Sequence, residues 1–340
     1  MTDPHPPVGG TGLTRRQFIR LSTAGVILGG AAVAGSLWVN RNEARAATFI
    51  AKVPGYHDDI RQRILQGLGE LGVTAKEIAG KRVLLKPNLV EPHRTARHIN
   101  THPLVVRGAI EAFLQLGAKA VVVGEGSGHR RDTIMVLEES GFADILVEDR
   151  IPFVDLNRAA VFVMPNNGNA TPLKSFLLPK ELGRADVIVS MAKMKTHHWV
   201  GVTLSMKNLF GVLPGDYYGW PKNVLHVAGI PGCITDIAAT VRPHFAIVDG
   251  IVGMEGDGPI MGEPVNAGVL VMGRNLPAVD ATCARIMAVN PEKVPYLAAA
   301  ESFLGPIRAA EIVQRGESIA SVQRRFRLLD EIPAHRGLRL

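Results

Sequence analysis

The stretch Val187-Ile188-Val189-Ser190-Met191-Ala192-Lys193-Met194-Lys195-Thr196-His197 decides how the rest of the chain is read. Three β-branched residues open it, as in a strand covered on both faces, and a lysine-rich polar run follows at once. The same pattern recurs elsewhere. Val83-Leu84-Leu85 runs into Lys86-Pro87-Asn88, and Val121-Val122-Val123 into Gly124-Glu125-Gly126-Ser127-Gly128-His129. Ala246-Ile247-Val248 runs into Asp249-Gly250, and Leu270-Val271-Met272 leads to Gly273-Arg274-Asn275 and then Asp280. Strands are therefore expected at Val83–Leu85, Ala120–Val123, Val187–Val189, Phe245–Val248 and Val269–Met272. Amphipathic stretches lie between them at Pro103–Leu116, Asp132–Ser140, Gly232–Val241 and Pro277–Ala288. The alternation predicts an α/β fold, a mostly parallel sheet flanked by helices in Rossmann-like layers. Residues 151–180, with Pro152, Pro165, Asn166, Asn167, Gly168, Pro172 and Pro179, break the rhythm and predict a small irregular or β excursion.

The chain has 340 residues, 46% of them hydrophobic and 20% charged, with 36 glycines, which excludes a disordered or coiled-coil protein. Residues 1–46 read as an export address: Arg15-Arg16 precede a weakly apolar run from Leu21 to Val39, and Ala44-Arg45-Ala46 closes it. Paired arginines, a short apolar stretch and an A-x-A site form a twin-arginine signal. It implies the Tat translocase as partner during export, a periplasmic or extracytoplasmic location, and no stable membrane span once cleaved; retention as an anchor helix stays open. Residues 47–340 are expected to form one α/β domain, two lobes meeting near 150–185 remaining an alternative. Without the first 46 residues, 33 basic and 29 acidic side chains leave a net charge of +4, too mild to imply nucleic acid. Two cysteines, Cys233 and Cys283, cannot ligate an iron–sulfur cluster, so none is expected, and nothing in their spacing decides whether they pair.

In an open parallel sheet, ligands bind at the carboxyl ends of the strands. Five strand ends bearing Lys, Asn, His, Asp and Glu are thus expected to share one cleft. Together with Lys207-Asn208-Leu209-Phe210-Gly211 and Glu255-Gly256-Asp257-Gly258-Pro259, the Lys86-Pro87-Asn88, Lys193-Met194-Lys195-Thr196-His197 and Asp249-Gly250 segments resemble the family catalogued as domain of unknown function 362, over roughly residues 80–300. Many members of that family carry a ferredoxin-like iron–sulfur segment; this chain lacks the cysteines for one, so the resemblance implies no electron-transfer role and no settled reaction.

The residues themselves suggest an anion site. Lys193, Lys195, His197 and Lys207 concentrate cationic groups, and Thr203 to Phe210 reads as a loop entering a helix whose free N–H groups would add positive potential. Lys86, Asn88, Lys193, Thr196 and Asn208 are the expected contacts to a small, multiply anionic molecule, with His197, Lys195 and Lys207 as candidate proton-transfer groups. Asp249, Glu255 and Asp257 are candidate oxygen ligands for a divalent cation such as Mg²⁺, though Asp beside Gly equally caps turns. Enzyme and non-catalytic periplasmic binding or cofactor-handling protein both remain open; perturbed titratable groups in the cleft would favour the first, two hinged lobes the second.

Overall fold

The computed structural model describes residues 46–128 and 131–340. In chain order its strands are β1 (Thr48–Lys52), β2 (Arg82–Pro87), β3 (Ala120–Glu125), β4 (Phe153–Asp155), β5 (Val161–Pro165), β6 (Ser175–Pro179), β7 (Val187–His197), β8 (Gly201–Thr203), β9 (Phe245–Glu255), β10 (Glu263–Val265), β11 (Val269–Gly273) and β12 (Gln314–Gly316). The main sheet runs in the order β12-β1-β11-β9-β7-β2-β3-β4, with β8 and β10 folded back onto the ends of β7 and β9. The pairs β9–β7, β7–β2, β2–β3 and β3–β4 are all parallel. β5 and β6 form a separate antiparallel pair, which is the excursion expected in residues 151–180.

The principal helices are α1 (Ile60–Glu70), α2 (Pro103–Gln115), α3 (Thr133–Glu139), α4 (Ser205–Asn208), α5 (Ile230–Val241) and α6 (Leu276–Ile286). Alternate strand residues serve two separate cores. Phe49, Val83, Leu85, Val189 and Met272 pack with Ile64 of α1 and Phe113 of α2. Their immediate neighbours Ile50, Leu84, Ile188 and Val271 pack with Ile237 of α5 and Val279 of α6. This period-two split puts helices on both faces and explains why each strand reads as a continuous apolar run.

Two expectations change. β7 and β9 do not stop at Val189 and Val248; each runs for eleven residues, so Lys193, Lys195 and His197 stand on a buried central strand, with a register shift against β9 between Lys193 and Lys195. β11 is antiparallel to both β9 and β1. Its end at Gly273-Arg274-Asn275 therefore faces the opposite rim, where Arg274 makes two 2.7 Å bonds to Glu77. Four of the five strand ends, those of β2, β3, β7 and β9, therefore lie at one rim. β1 was not expected; it inserts between β11 and β12. Residues Ala46–Leu340 form one compact unit, and among the described residues no helix is long and apolar enough to cross a membrane.

Candidate functional site: a lysine-lined cleft at the strand ends

The carboxyl ends of β2, β3 and β7, together with α4 and the loops near Pro221 and Pro259, enclose a cavity of about 110 Å³. Lys86, Asn88, Lys195, His197, Lys207 and Asn208 all line it. Side chains more than 120 residues apart in sequence, such as Lys86 and Asn208, meet there.

Lys86 is not available to a ligand as an unpaired cation. Its Nζ donates to Glu125 Oε2 at 2.8 Å, to the Pro87 carbonyl at 2.9 Å and to Asn208 Oδ1 at 3.1 Å. Glu125, which ends β3, also accepts from the backbone N–H groups of Leu89 (3.1 Å) and Gly126 (2.8 Å). The pair is fully buried and stitches β2 to β3 and α4. Gly211 leans against it so closely that a Cβ there would run into the Glu125 carboxylate and the Lys86 ammonium. Asn208 completes the arrangement by donating to the Lys86 carbonyl and Ser190 Oγ, both at 3.1 Å.

Lys193 and Asp249 form a second buried pair, at 2.7 Å, outside the cavity lining. Tyr56 joins it: its hydroxyl accepts from Lys193 (2.9 Å) and donates to Asp249 (3.2 Å). The N–H groups of His102 (3.0 Å) and Ile251 (3.1 Å) also donate to Asp249. Burial and the Asp249 charge push the Tyr56 phenol far up, so it stays a donor. Both oxygens of Asp249 are thus occupied. Glu255 Oε2 accepts from the Arg327 N–H at 2.8 Å, and Asp257 faces His198 Nδ1 at 3.3 Å. The three carboxylates suggested as cation ligands each serve a different partner, and no group of three His, Cys, Asp or Glu side chains suited to a metal occurs among the described residues. Thr196 likewise spends its hydroxyl on the Gly256 carbonyl, at 2.8 Å.

Among the described residues, three buried or half-buried lysines lining the cavity have no carboxylate partner. Lys195 donates to Asn88 Oδ1 (2.7 Å) and to the carbonyls of Ile99 (2.8 Å) and Pro259 (3.2 Å), so it ties three segments together as well as facing the cleft. Burial, with help from Lys193 and Lys207, drives its pKa well below the ordinary lysine value. Lys207 stands over the Phe210 ring, its Nζ 3.8 Å from the centroid. Burial first, and the Lys86 charge second, lower its pKa to about 7. Lys222 donates to Asn157 Oδ1 at 3.0 Å and to the Leu213 carbonyl, and burial lowers it to about 7 as well. Lys222 was absent from the sequence expectations, because a lysine in a Gly/Pro-rich loop carries no signal of burial.

His197 ends β7 and is 4% exposed. Burial, then the Lys207 charge, holds its pKa well below the usual histidine range, so the ring is neutral near pH 7. Nδ1 accepts the Trp199 N–H at 3.1 Å, which assigns the remaining proton to Nε2. Thr203 also lines the cavity, and its buried Oγ1 has no hydrogen-bond partner among the described residues. The expected helix N-terminus does not contribute to the cavity: the N–H groups of Ser205 and Met206 are capped by Asp280 of α6 at 2.8 and 3.0 Å. Burial raises Asp280 to about 7, opposed by these donors. Cys233 and Cys283 are separate, buried free thiols.

Fold and site together define a mostly parallel α/β protein with a lysine-lined cleft at the carboxyl rim of its sheet. The chain belongs to the family described as "Domain of unknown function (DUF362)", whose model matches residues 83–285. It is 31% identical over 256 residues to the thylakoid-associated protein sll1697 of Synechocystis sp., covering 72% of this chain and 75% of that one. Among solved structures, the lactate racemase apoprotein of Thermoanaerobacterium thermosaccharolyticum aligns with a TM-score of 0.43 at 15% identity, over 71% of this chain and 57% of that one. A Thermotoga maritima protein aligns with a TM-score of 0.36 at 16% identity, over 66% and 58%. The chain thus spans less than two thirds of either structure.

Proposed function

We propose that the cleft is the active site of an enzyme that binds a small, multiply anionic molecule and moves a proton on it. The observation that carries this reading is that three lysines, Lys195, Lys207 and Lys222, line one cavity without a carboxylate partner among the described residues. Charged lysines are costly to bury unpaired, whereas the two lysines whose role is internal, Lys86 and Lys193, each have their acid. An incoming anion supplies the missing charge. Lys207, with its pKa near neutrality in the unliganded protein, takes up a proton as the anion binds and is then poised to act as acid. His197 Nε2–H and the unpartnered Thr203 hydroxyl are donors for an oxyanion. The perturbed lysines favour an enzyme over a binding protein without turnover.

Anion binding must take up protons. At pH 8, Lys207 and Lys222 are mostly neutral in the free protein, and a bound polyanion raises their pKa values and recharges them. Titration calorimetry with inorganic pyrophosphate in two buffers of different ionisation enthalpy is expected to show uptake of about one to two protons, with affinity falling as pH rises above about 7, by up to about tenfold per unit per lysine. Absence of pyrophosphate binding, or binding without proton uptake, contradicts the reading.

The twin-arginine reading falls on Arg15 and Arg16, outside the described residues. We propose export on the strength of that motif and Ala44-Arg45-Ala46. A chain carrying Arg15→Lys and Arg16→Lys is expected to stay in the cytoplasm; unimpaired export of that variant refutes the assignment.

A further inference from the structure

The lysine cavity opens outward. A second hollow of about 530 Å³ is lined by Trp199, Pro221, Asn223, His226, Ile230 and Pro231. Trp199, Pro221 and His226 also line the inner cavity, so the two spaces share a wall. Their chemistry differs sharply. The inner one presents Lys195, Lys207 and Lys222, while among the described residues the outer lining carries no lysine, arginine or carboxylate.

Trp199 is 53% exposed, yet it is oriented. Its ring meets His198 and His226 edge-on, with centroids 4.6 and 5.0 Å apart and interplanar angles of 83° and 77°. Its backbone N–H is fixed by His197 Nδ1. An indole held this way beside Pro221 and Pro231 offers a flat apolar surface at low entropic cost. A flat group covers it better than a flexible chain does, because stacking adds quadrupole attraction to area burial and orders fewer rotatable bonds.

We propose that the ligand carries a planar aromatic ring that stacks on Trp199 in the outer hollow while its anionic group reaches Lys207 and Lys222 in the inner one. This rests on the anion-binding reading above and adds the substrate class: an aromatic ring joined to a phosphate or polycarboxylate.

The test compares three probes on the full chain by calorimetry at pH 7: inorganic phosphate, phenyl phosphate and n-hexyl phosphate. Phenyl phosphate is expected to bind about tenfold more tightly than either of the others. In Trp199→Ala the ratio of phenyl to inorganic phosphate affinity collapses to within about twofold, and in Trp199→Phe most of it returns. Equal binding of all three probes overturns the ring subsite and leaves the anion site standing. Hexyl phosphate matching phenyl phosphate, or an undiminished ratio in Trp199→Ala, overturns it too. If none of the three binds, the anion-binding reading falls and this inference falls with it.

Discussion

Asp249→Ala destabilises the protein by about 3–5 kcal/mol, because it strands the Lys193 ammonium in a fully buried position and deprives Tyr56, His102 N–H and Ile251 N–H of their acceptor. The loss is expected as a large drop in the denaturant midpoint at unchanged slope. The pair links β7 to β9, and Tyr56 brings in the segment after β1, so three pieces of the sheet rim loosen together. A double variant, Asp249→Leu with Lys193→Met, is expected to recover much of the loss, since replacing both members of a buried pair by apolar groups is far less costly than removing one. If Asp249→Ala melts like the parent, the carboxylate is not the structural acceptor described here, and a role in ligand or cation binding regains its place.

The second large effect is the reverse in kind. Lys207→Met is expected to weaken pyrophosphate binding by about 30-fold or more, the cost of removing one side of a buried charge pair across an interface. It leaves the unliganded protein as stable as the parent or more so. Among the described residues Lys207 makes no hydrogen bond to a carboxylate or carbonyl, and methionine fills the same space over the Phe210 ring without a charge to desolvate. Calorimetry and thermal melting on the same preparation separate the two quantities. Equal binding by parent and variant removes Lys207 from the site; a large melting loss makes it structural. Lys195, judged from its sequence as Lys207's equivalent, is not expected to show this clean split, because Asn88, Ile99 and Pro259 depend on its ammonium.

The placement of the cleft is legible in the sequence because buried parallel strands read as apolar runs, and their polar sequels then mark one rim. Lys86, Asn88, Lys195, His197, Lys207 and Asn208 are gathered as that logic requires. Strand direction is not legible: Val269–Met272 has the same apolar pattern whichever way it runs, and only its pairing shows that it is antiparallel. Nor is charge pairing. Lys86 and Lys195 look alike in the sequence, yet one meets Glu125 from the neighbouring strand and the other, among the described residues, meets only neutral oxygens. Tyr56 lies in a stretch without periodicity, so nothing in the sequence signals its place between Lys193 and Asp249. Glu125 does leave a trace. An acid ending one apolar run and a lysine ending another are apt partners if the two strands are neighbours, which β2 and β3 are.

The stability of the unliganded protein as a function of pH bears most directly on the claim that the cleft holds buried lysines awaiting an anion. Lys207 and Lys222 titrate near 7 in the folded chain and near the ordinary lysine value of 10.5 when unfolded, so between those limits the unfolded state binds more protons. Each lysine then raises the unfolding free energy by up to about 1.4 kcal/mol per pH unit from pH 7 upward, and a saturating polyanion, which recharges them, flattens that rise. Melting curves from pH 7 to 9.5, with and without inorganic pyrophosphate, are predicted to show a climb in its absence and a level profile in its presence. A flat or falling profile without pyrophosphate means that these lysines stay charged in the empty cleft, and contradicts the claim.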